Sequence, residues 1–465
     1  MVLATVTGMA ITAESLAGLA SLVSGPVLRR GDAALAAEVA AQNTAVVHDP
    51  EVVVGATSES DVAEAVTFAV ANGLPVRVLA TGHGSQVPVT DGVLITTRRL
   101  DSLTIDPETA VATIGAGNRW RSVIAAAAEH GLAPVAGSSD NVGSIGYTLG
   151  GGVGPVARTF GFSSDFVRGF RVVTAAGEVV TAGPDSNSDL FWALRGGKGG
   201  LGVVTSMDFA LVRLSTLYGG ALFFDEEHIP AVLRAWAAVT ETAPEEATSS
   251  VTVVRFPPFD VIPEPFRGKT VISARFAYIG DPAVGERLFQ PIRDAAPAFL
   301  GEVGEMPASA MAMIHSDPTD PGPVWDRGML LTGIDGDFVE RFLEIFGPGR
   351  EVPVIAAELR HLGGATARDV PEGSAVGGRG AAYTFVMIGV PDPSLFDTVL
   401  PAVADGITAQ LSPWVWEENN INFAGGLSVP GSFEASWPSA IFDRLAEVRR
   451  HYDPTHVFPY PDRKR

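Results

Sequence analysis

A histidine held between two glycines is the first place in this chain where residue types and spacing suggest chemistry. His83 lies in Ala80-Thr81-Gly82-His83-Gly84-Ser85, directly after the apolar run Pro75-Val-Arg-Val-Leu79. A turn at the carboxyl end of a strand is where α/β sheets place their ligands. The absence of two neighbouring β-carbons lets both backbone and imidazole approach a flat ligand closely. A second such stretch is Gly137 to Gly154, too long and irregular for a hairpin and read as a segment that wraps something. A third is Ile355-Ala-Ala-Glu358-Leu-Arg360-His361, where strand alternation puts Glu358 and Arg360 on one face and Leu359 and His361 on the other. Glu358 reads either as a base or as half of a structural ion pair with Arg360, and Arg360 can grip an anionic or carbonyl substrate.

Several other chemistries are excluded or disfavoured. With no cysteine, thiolate metal sites, disulfides and cysteine nucleophiles cannot exist. The eight histidines show no metal spacing, and there is neither an H-E-x-x-H nor a G-x-S-x-G segment, so no metal site and no serine hydrolase are expected. Gly197-Lys-Gly199-Gly-Leu-Gly202 carries dinucleotide-binding letters but is read as following a helix and feeding a strand, the reverse of the arrangement that places phosphate on a helix N-terminus. The net charge is -21, and the one basic cluster of note is Pro461-Asp-Arg-Lys-Arg465, which argues against nucleic-acid or anionic-membrane partners. No apolar run is long enough to span a membrane and Met1 to Ala20 lacks a basic leader, so a soluble, cytoplasmic protein is expected.

These residues need a scaffold, and the chain offers one in two textures. Val52 to Ala56, Thr57 to Asn72 and Val76 to Leu79 read as β-α-β, with Ser58 capping the helix and Gly73 stopping it. Strands over Val93 to Leu100 and Ala110 to Gly115, a helix from Trp120 to Glu129, a hairpin over Phe170 to Thr181 and a strand from Gly202 to Leu214 follow. From about Tyr218 the glycine clusters end. Strands near Val251 to Val254, Val271 to Ala277, Ile355 to His361 and Ala382 to Gly389 alternate with helices at His228 to Thr240, Ala283 to Ala298 and Pro393 to Leu411, an α+β texture on an antiparallel sheet. A helix from Ser439 to His451 closes the chain.

Thr81-Gly-His-Gly-Ser85, Gly143 to Gly152, Asp189-Leu-Phe-Trp-Ala-Leu-Arg-Gly-Gly197, Gly202-Val-Val-Thr205 and Tyr452-Asp-Pro-Thr-His-Val-Phe458 stand in the order found in FAD-linked oxidases, and the chain resembles the berberine bridge enzyme-like family with its p-cresol methylhydroxylase-type FAD domain. The resemblance implies an α+β fold with a two-part FAD domain, residues 1–216 plus 416–465, and an inserted substrate domain, 217–415, whose antiparallel sheet roofs the flavin. It implies FAD bonded through His83 and held by Ala80, Thr81, Gly82, Gly84, Ser85, Gly137, Ser138, Ser139, Val142, Gly143, Gly146, Tyr147, Gly150, Gly151, Gly202, Val203 and Asn422. Ser139 replaces the family's optional second attachment cysteine, so the link is expected to be single. Val142, at the family's oxygen gate, favours an oxidase, with O2 and a small molecule as partners. Tyr147 reads equally as active-site or core.

Two departures matter. Asn420 stands where many relatives carry a tyrosine base, and His456 replaces an asparagine. Glu358, with Arg360 beside it, is therefore the expected proton acceptor. The implied reaction is hydride transfer from an alcohol, amine or phenolic, polyketide-like carbon to FAD, in secondary metabolism; oxygenase, dehydrogenase and non-turning-over binding protein remain the alternatives. Substrate, product and oligomeric state are not readable.

Overall fold

The computed structural model describes residues 11–426 and 431–460, which leaves the basic end at 461–465 and the start of the chain outside the described residues. The α+β architecture is as expected, and it rests on three principal sheets. Val27–Arg29, Val52–Gly55, Val93–Thr96 and Val76–Leu79 form the first, in that spatial order. Val52–Gly55 and Val76–Leu79, the two strands joined by the β-α-β helix, both pair in parallel with Val93–Thr96 and not with each other. The helix runs Glu59–Ala71, and the Ser58 side chain accepts from Asp61 N. Its apolar positions Val62, Ala65, Val66 and Ala69 are fully buried, which is the amphipathic spacing expressed as packing.

A second, antiparallel sheet orders Leu103–Asp106, Val111–Gly115, Val203–Ala210, Val167–Val173 and Val179–Ala182. One hydrophobic cluster unites these two sheets with the helices Trp120–Ala128 and Ser188–Leu194, and the last helix, Ser439–Tyr452, returns to it through Phe442, Leu445 and Val448. The tail is fixed by Asp453, whose buried carboxylate accepts from Val457 N at 2.9 Å and Phe458 N at 2.8 Å. His456 there has φ +57°, a left-handed backbone that few residues other than glycine adopt and that histidine, asparagine and aspartate tolerate best.

The third sheet has seven antiparallel strands in the order Leu300–Pro307, Thr216–Asp225, Thr270–Tyr278, Ala247–Arg255, Val354–His361, Tyr383–Gly389 and Asp326–Leu331. One face carries Val251, Val253, Ile272, Ala274, Phe276, Ala357, Leu359, Phe385 and Met387, packed under the helices Ile229–Thr242, Pro282–Arg293, Gly336–Phe346 and Val399–Leu411. The opposite face is polar. Buried Arg158 joins this sheet to the glycine-rich half: its Nε donates to Ala247 O at 2.8 Å, its Nη2 to Ala243 O at 3.0 Å, and its Nη1 also bonds Leu362 O.

Candidate active site

The turn after Val76–Leu79 presents His83 half-buried, with Nδ1 2.7 Å from Thr81 Oγ1 and Nε2 buried without a hydrogen-bond partner among the described residues. Burial, aided by the nearby Arg119 charge, pushes its pKa down to about 4, so the ring is neutral at neutral pH. Arg119 itself is held by Asn141, donating to its backbone O at 2.6 Å and its Oδ1 at 2.7 Å. The two glycines beside His83 differ in purpose. Gly82 has φ +70° and a β-carbon there would lie 2.5 Å from Ala41 Cβ, so the fold requires it; a β-carbon on Gly84 would meet nothing within 4 Å. Gly84 is thus the glycine left bare toward open space.

The Gly137 to Gly154 segment is not featureless: Ser144–Thr148 is a short helix. Gly143 abuts Thr81, with a β-carbon there 3.3 Å from Thr81 Cγ2, which brings the wrapping segment against the His83 turn. Gly146, like Gly84, faces open space. Ser138 and Ser139 are half-exposed, and Val142 is half-buried against the core while its carbonyl accepts from Trp120 N at 3.0 Å. A loop bearing the prolines at 318, 321 and 323 covers this end: Thr319 O accepts from Gln42 Nε2 at 2.8 Å and Asn141 Nδ2 at 2.9 Å, and Asn43 Nδ2 ties Ser85 O to Val324 O at 3.0 and 3.1 Å. A neutral, under-bonded imidazole and glycines open to space fit a flat cofactor lying along the segment.

At the other end Asn422 donates from Nδ2 to Tyr147 O at 2.8 Å and accepts from Lys198 Nζ at 2.8 Å. Lys198 also donates to Gly146 O at 2.8 Å, takes a left-handed φ of +64°, and is pushed to a pKa of about 8 by burial. Gly150 must be glycine because a β-carbon would lie 2.1 Å from Asn422 Oδ1. Gly150→Ala is therefore expected to break this tie and cost about 1–3 kcal/mol, read as a lowered melting temperature. An unchanged melting curve would show that Asn422 can move aside freely. Gly151, with φ +95°, packs near Phe162 and Val376. Gly202 packs against Val172 and Val173 and Val203 begins a buried strand, so packing alone accounts for both.

Tyr147 packs tightly through its ring, while its hydroxyl is buried without a hydrogen-bond partner among the described residues. Its ring meets Trp120 edge-on at 6.0 Å, and β-carbons at Gly137 and Gly152 would strike it at 3.0 and 2.4 Å. Burial raises its phenol pKa, so the hydroxyl stays protonated at neutral pH and is not available as a base.

Glu358 and Arg360 do share the sheet face turned toward the glycine segment, for Arg360 Nη1 donates to Val153 O at 3.1 Å. The assignment of Glu358 as base does not survive. Its carboxylate is clamped by Arg360 Nη2 at 3.1 Å and Arg275 Nη1 at 3.2 Å, with His315 Nε2 at 3.4 Å. Burial pushes its pKa up, but Arg360, His315 and Arg275 together outweigh that and hold it well below the ordinary carboxylate range. A carboxylate that resists protonation is a weak base. His361 is no substitute: stacked on Tyr383 at 5.0 Å and 3.0 Å from Arg158, it is pushed down to about 3 by burial.

Arg119, Lys198, Arg275 and His315 were missed from sequence. Arg275 was recoverable, since alternation in Val271 to Ala277 assigns Ile272, Ala274 and Phe276 to the core and leaves Ser273 and Arg275 opposite. His315 follows the 3-10 helix Ala308–Ile314, with no pattern to single it out.

A family model described as an FAD binding domain matches residues 50–183. The chain is 37% identical over 151 residues to the FAD-dependent monooxygenase prx3 of Penicillium roqueforti, covering 32% of this chain and 30% of that protein. It is 36% identical over 167 residues to (R)-6-hydroxynicotine oxidase of Paenarthrobacter nicotinovorans, 36% of each. The matches thus span about a third of the length of these curated relatives. In fold the agreement is nearly complete: Physcomitrella patens BBE-like 1 superposes with a TM-score of 0.81 at 18% identity, over 96% of this chain and 98% of that one. The glucooligosaccharide oxidase of Acremonium strictum, described with a 6-S-cysteinyl, 8α-N1-histidyl FAD, superposes with a TM-score of 0.77 at 19% identity, over 96% and 98%.

Proposed function

We propose, for a chain that carries an FAD binding domain and folds as the berberine bridge enzyme-like oxidases do, that it is an FAD-dependent oxidase of a small molecule with the flavin bonded to His83 alone. The observation that carries this reading is the glycine segment open at Gly84 and Gly146 beside a neutral His83 whose Nε2 has no partner among the described residues. Bound FAD supplies a two-electron acceptor that O2 can reoxidise. Every other part of the work falls to the chain's own residues.

Thr81 fixes the His83 ring while burial, aided by Arg119, keeps it unprotonated, which is the nucleophilic form needed for attachment. Ser139 offers no second thiol, so one link is expected. The backbone groups of residues 143–151 line the cofactor, with Lys198 and Asn422 bracing them. Glu358, kept ionised, lies 3.4 Å from His315 Nε2 and orients the ring; both ring nitrogens are buried without a hydrogen-bond partner among the described residues, and with Nε2–H turned to Glu358 the lone pair is on Nδ1. His315 then takes the substrate proton that Glu358 cannot. The substrate carbon is an alcohol, amine or phenolic one, and the reaction sits in secondary metabolism.

By the resemblance to the FAD-linked oxidases Val142 stands on the path of O2, where a longer side chain would narrow access. Val142→Leu is expected to slow reoxidation of the reduced flavin about tenfold or more while leaving its reduction by substrate nearly unchanged, as stopped-flow absorbance can show. Equal slowing of both half-reactions would remove Val142 from the oxygen path. The general test is anaerobic bleaching of the purified yellow protein across a panel of alcohols, amines and phenols. A protein that stays oxidised with every one of them, or that binds no flavin, contradicts the assignment.

A further inference from the structure

The polar face of the seven-stranded sheet is organised in two cross-strand rows. Arg275, Ser250, Arg360 and Thr384 lie side by side in register, and Ser273, Thr252, Glu358 and Val386 form the row next to them. Cross-strand partners project to the same side of a sheet, so all eight face the glycine segment. Seven of them are polar, and six of these are buried: Ser273 is 0% exposed, Ser250 2%, Arg360, Thr384 and Thr252 3% each, Arg275 9%, while the Glu358 side chain is 17% exposed. A sheet face with only structural duties would be apolar, as the reverse face is.

Two features make this more than a buried ion pair. First, the charges do not cancel. Arg275 and Arg360 share one carboxylate, Glu358, among the described residues, and His315 is kept neutral by burial, leaving one positive charge in excess. An unbalanced buried charge is costly unless a ligand supplies its partner. Second, the hydrogen-bonding capacity is unfilled. Ser250 Oγ, Ser273 Oγ, Thr384 Oγ1, Arg275 Nε, Arg360 Nε and His315 Nδ1 are buried without a hydrogen-bond partner among the described residues. Five of these six can donate whatever the tautomer of His315, and buried polar groups left unmade in such density mark a place where something else binds.

We infer that this face is a carboxylate-binding subsite, in which Arg275 and Arg360, with the hydroxyls of Ser250 and Thr384, grip a single negative charge on the substrate. This rests on the proposed placement of the substrate between the sheet and the glycine segment, and it narrows that substrate to an organic acid. Arg360 is already oriented to grip an anion, since Glu358 holds Nη2, Val153 O holds Nη1, and Nε is left over. Arg275 is oriented likewise, with Nη1 shared between Thr252 Oγ1 at 2.5 Å and Glu358, and Nε left over.

Glu358 then has a second effect, and its sign is informative. It partly neutralises the two arginines, so removing its charge raises the net positive charge and should tighten anion binding. A merely structural ion pair makes the opposite prediction, because breaking it loosens the site.

The experiment titrates the flavin-loaded protein with 4-hydroxybenzoate and 4-hydroxybenzamide, a pair of equal size differing in charge, reading both flavin absorbance and calorimetric heat. The benzoate should bind about tenfold or more tighter than the amide. Glu358→Gln should tighten the benzoate several-fold and leave the amide unchanged. Arg275→Met should weaken the benzoate about tenfold or more with little effect on the amide, and Arg275→Lys, which keeps the charge, should retain most of the preference. Equal affinities for the pair, or a Glu358→Gln protein that binds the benzoate more weakly, overturns the inference. So does an Arg275→Met protein that shifts only the flavin potential, since the charge then serves the cofactor. The calorimetric titration is repeated on the flavin-free protein, so failure of the subsite and failure of the oxidase assignment are told apart.

Discussion

Replacing His83 by alanine is expected to convert a protein whose flavin survives acid precipitation into one that releases it completely. The natural protein should give a yellow pellet and a flavin-bearing peptide containing His83; His83→Ala should give a colourless pellet and free FAD in the supernatant. The effect is all or none because the chain contains no cysteine that could form a second link. Attachment also has a pH signature. The imidazole reacts only when unprotonated, and burial with Arg119 has lowered its pKa to about 4. Attachment of FAD added to the flavin-free protein should therefore proceed unchanged from neutrality to about pH 5, where an ordinary histidine with a pKa near ~6.5 would already be mostly protonated and silent. A flavin released from the natural protein by acid would remove His83 from this role, though not FAD from the fold.

The second large effect concerns the proton. His315→Gln keeps a polar side chain of similar reach and removes the basic nitrogen, so substrate-driven flavin reduction should fall by roughly 10² to 10⁴, the contribution expected of a general base. FAD content should not change. In the natural protein the active form is neutral His315, whose pKa burial and the two arginines have moved below the ordinary imidazole value of 6.5. Flavin reduction should therefore be flat through neutrality and fall only on the acid side of that value. A wild-type rate in His315→Gln would pass the role to Asp326, a carboxyl pushed up to about 6 by burial and 3.4 Å from Gln86 near the His83 turn.

What the sequence revealed follows from how local each signal is. The Ser58 cap, the buried spacing of Val62, Ala65, Val66 and Ala69, and the glycines around His83 are written in contiguous residues, and each has its structural counterpart. Three strands of the roof went unread. Thr216–Asp225 is interrupted by Gly219 and Gly220, Leu300–Pro307 is an edge strand with mostly exposed side chains, and Asp326–Leu331 emerges from the proline loop. The base was misassigned for a different reason. Alternation correctly placed Glu358 and Arg360 on one face, but only the neighbouring strands bring Arg275 and His315 against the carboxylate, and those contacts span 83 and 43 positions of chain. Proton affinity is set by such nonlocal neighbours, and no window of sequence contains them.

An FAD-dependent oxidase must hold a flavin that gives its electrons to oxygen. Photoreducing the purified holoprotein without substrate and mixing it with air-equilibrated buffer tests it directly, with flavin absorbance and peroxide followed together. Full reoxidation is expected in a single phase, faster than free reduced flavin, with one peroxide formed for each flavin. Reoxidation no faster than free flavin, but rapid with an added quinone, would contradict it and make the protein a dehydrogenase.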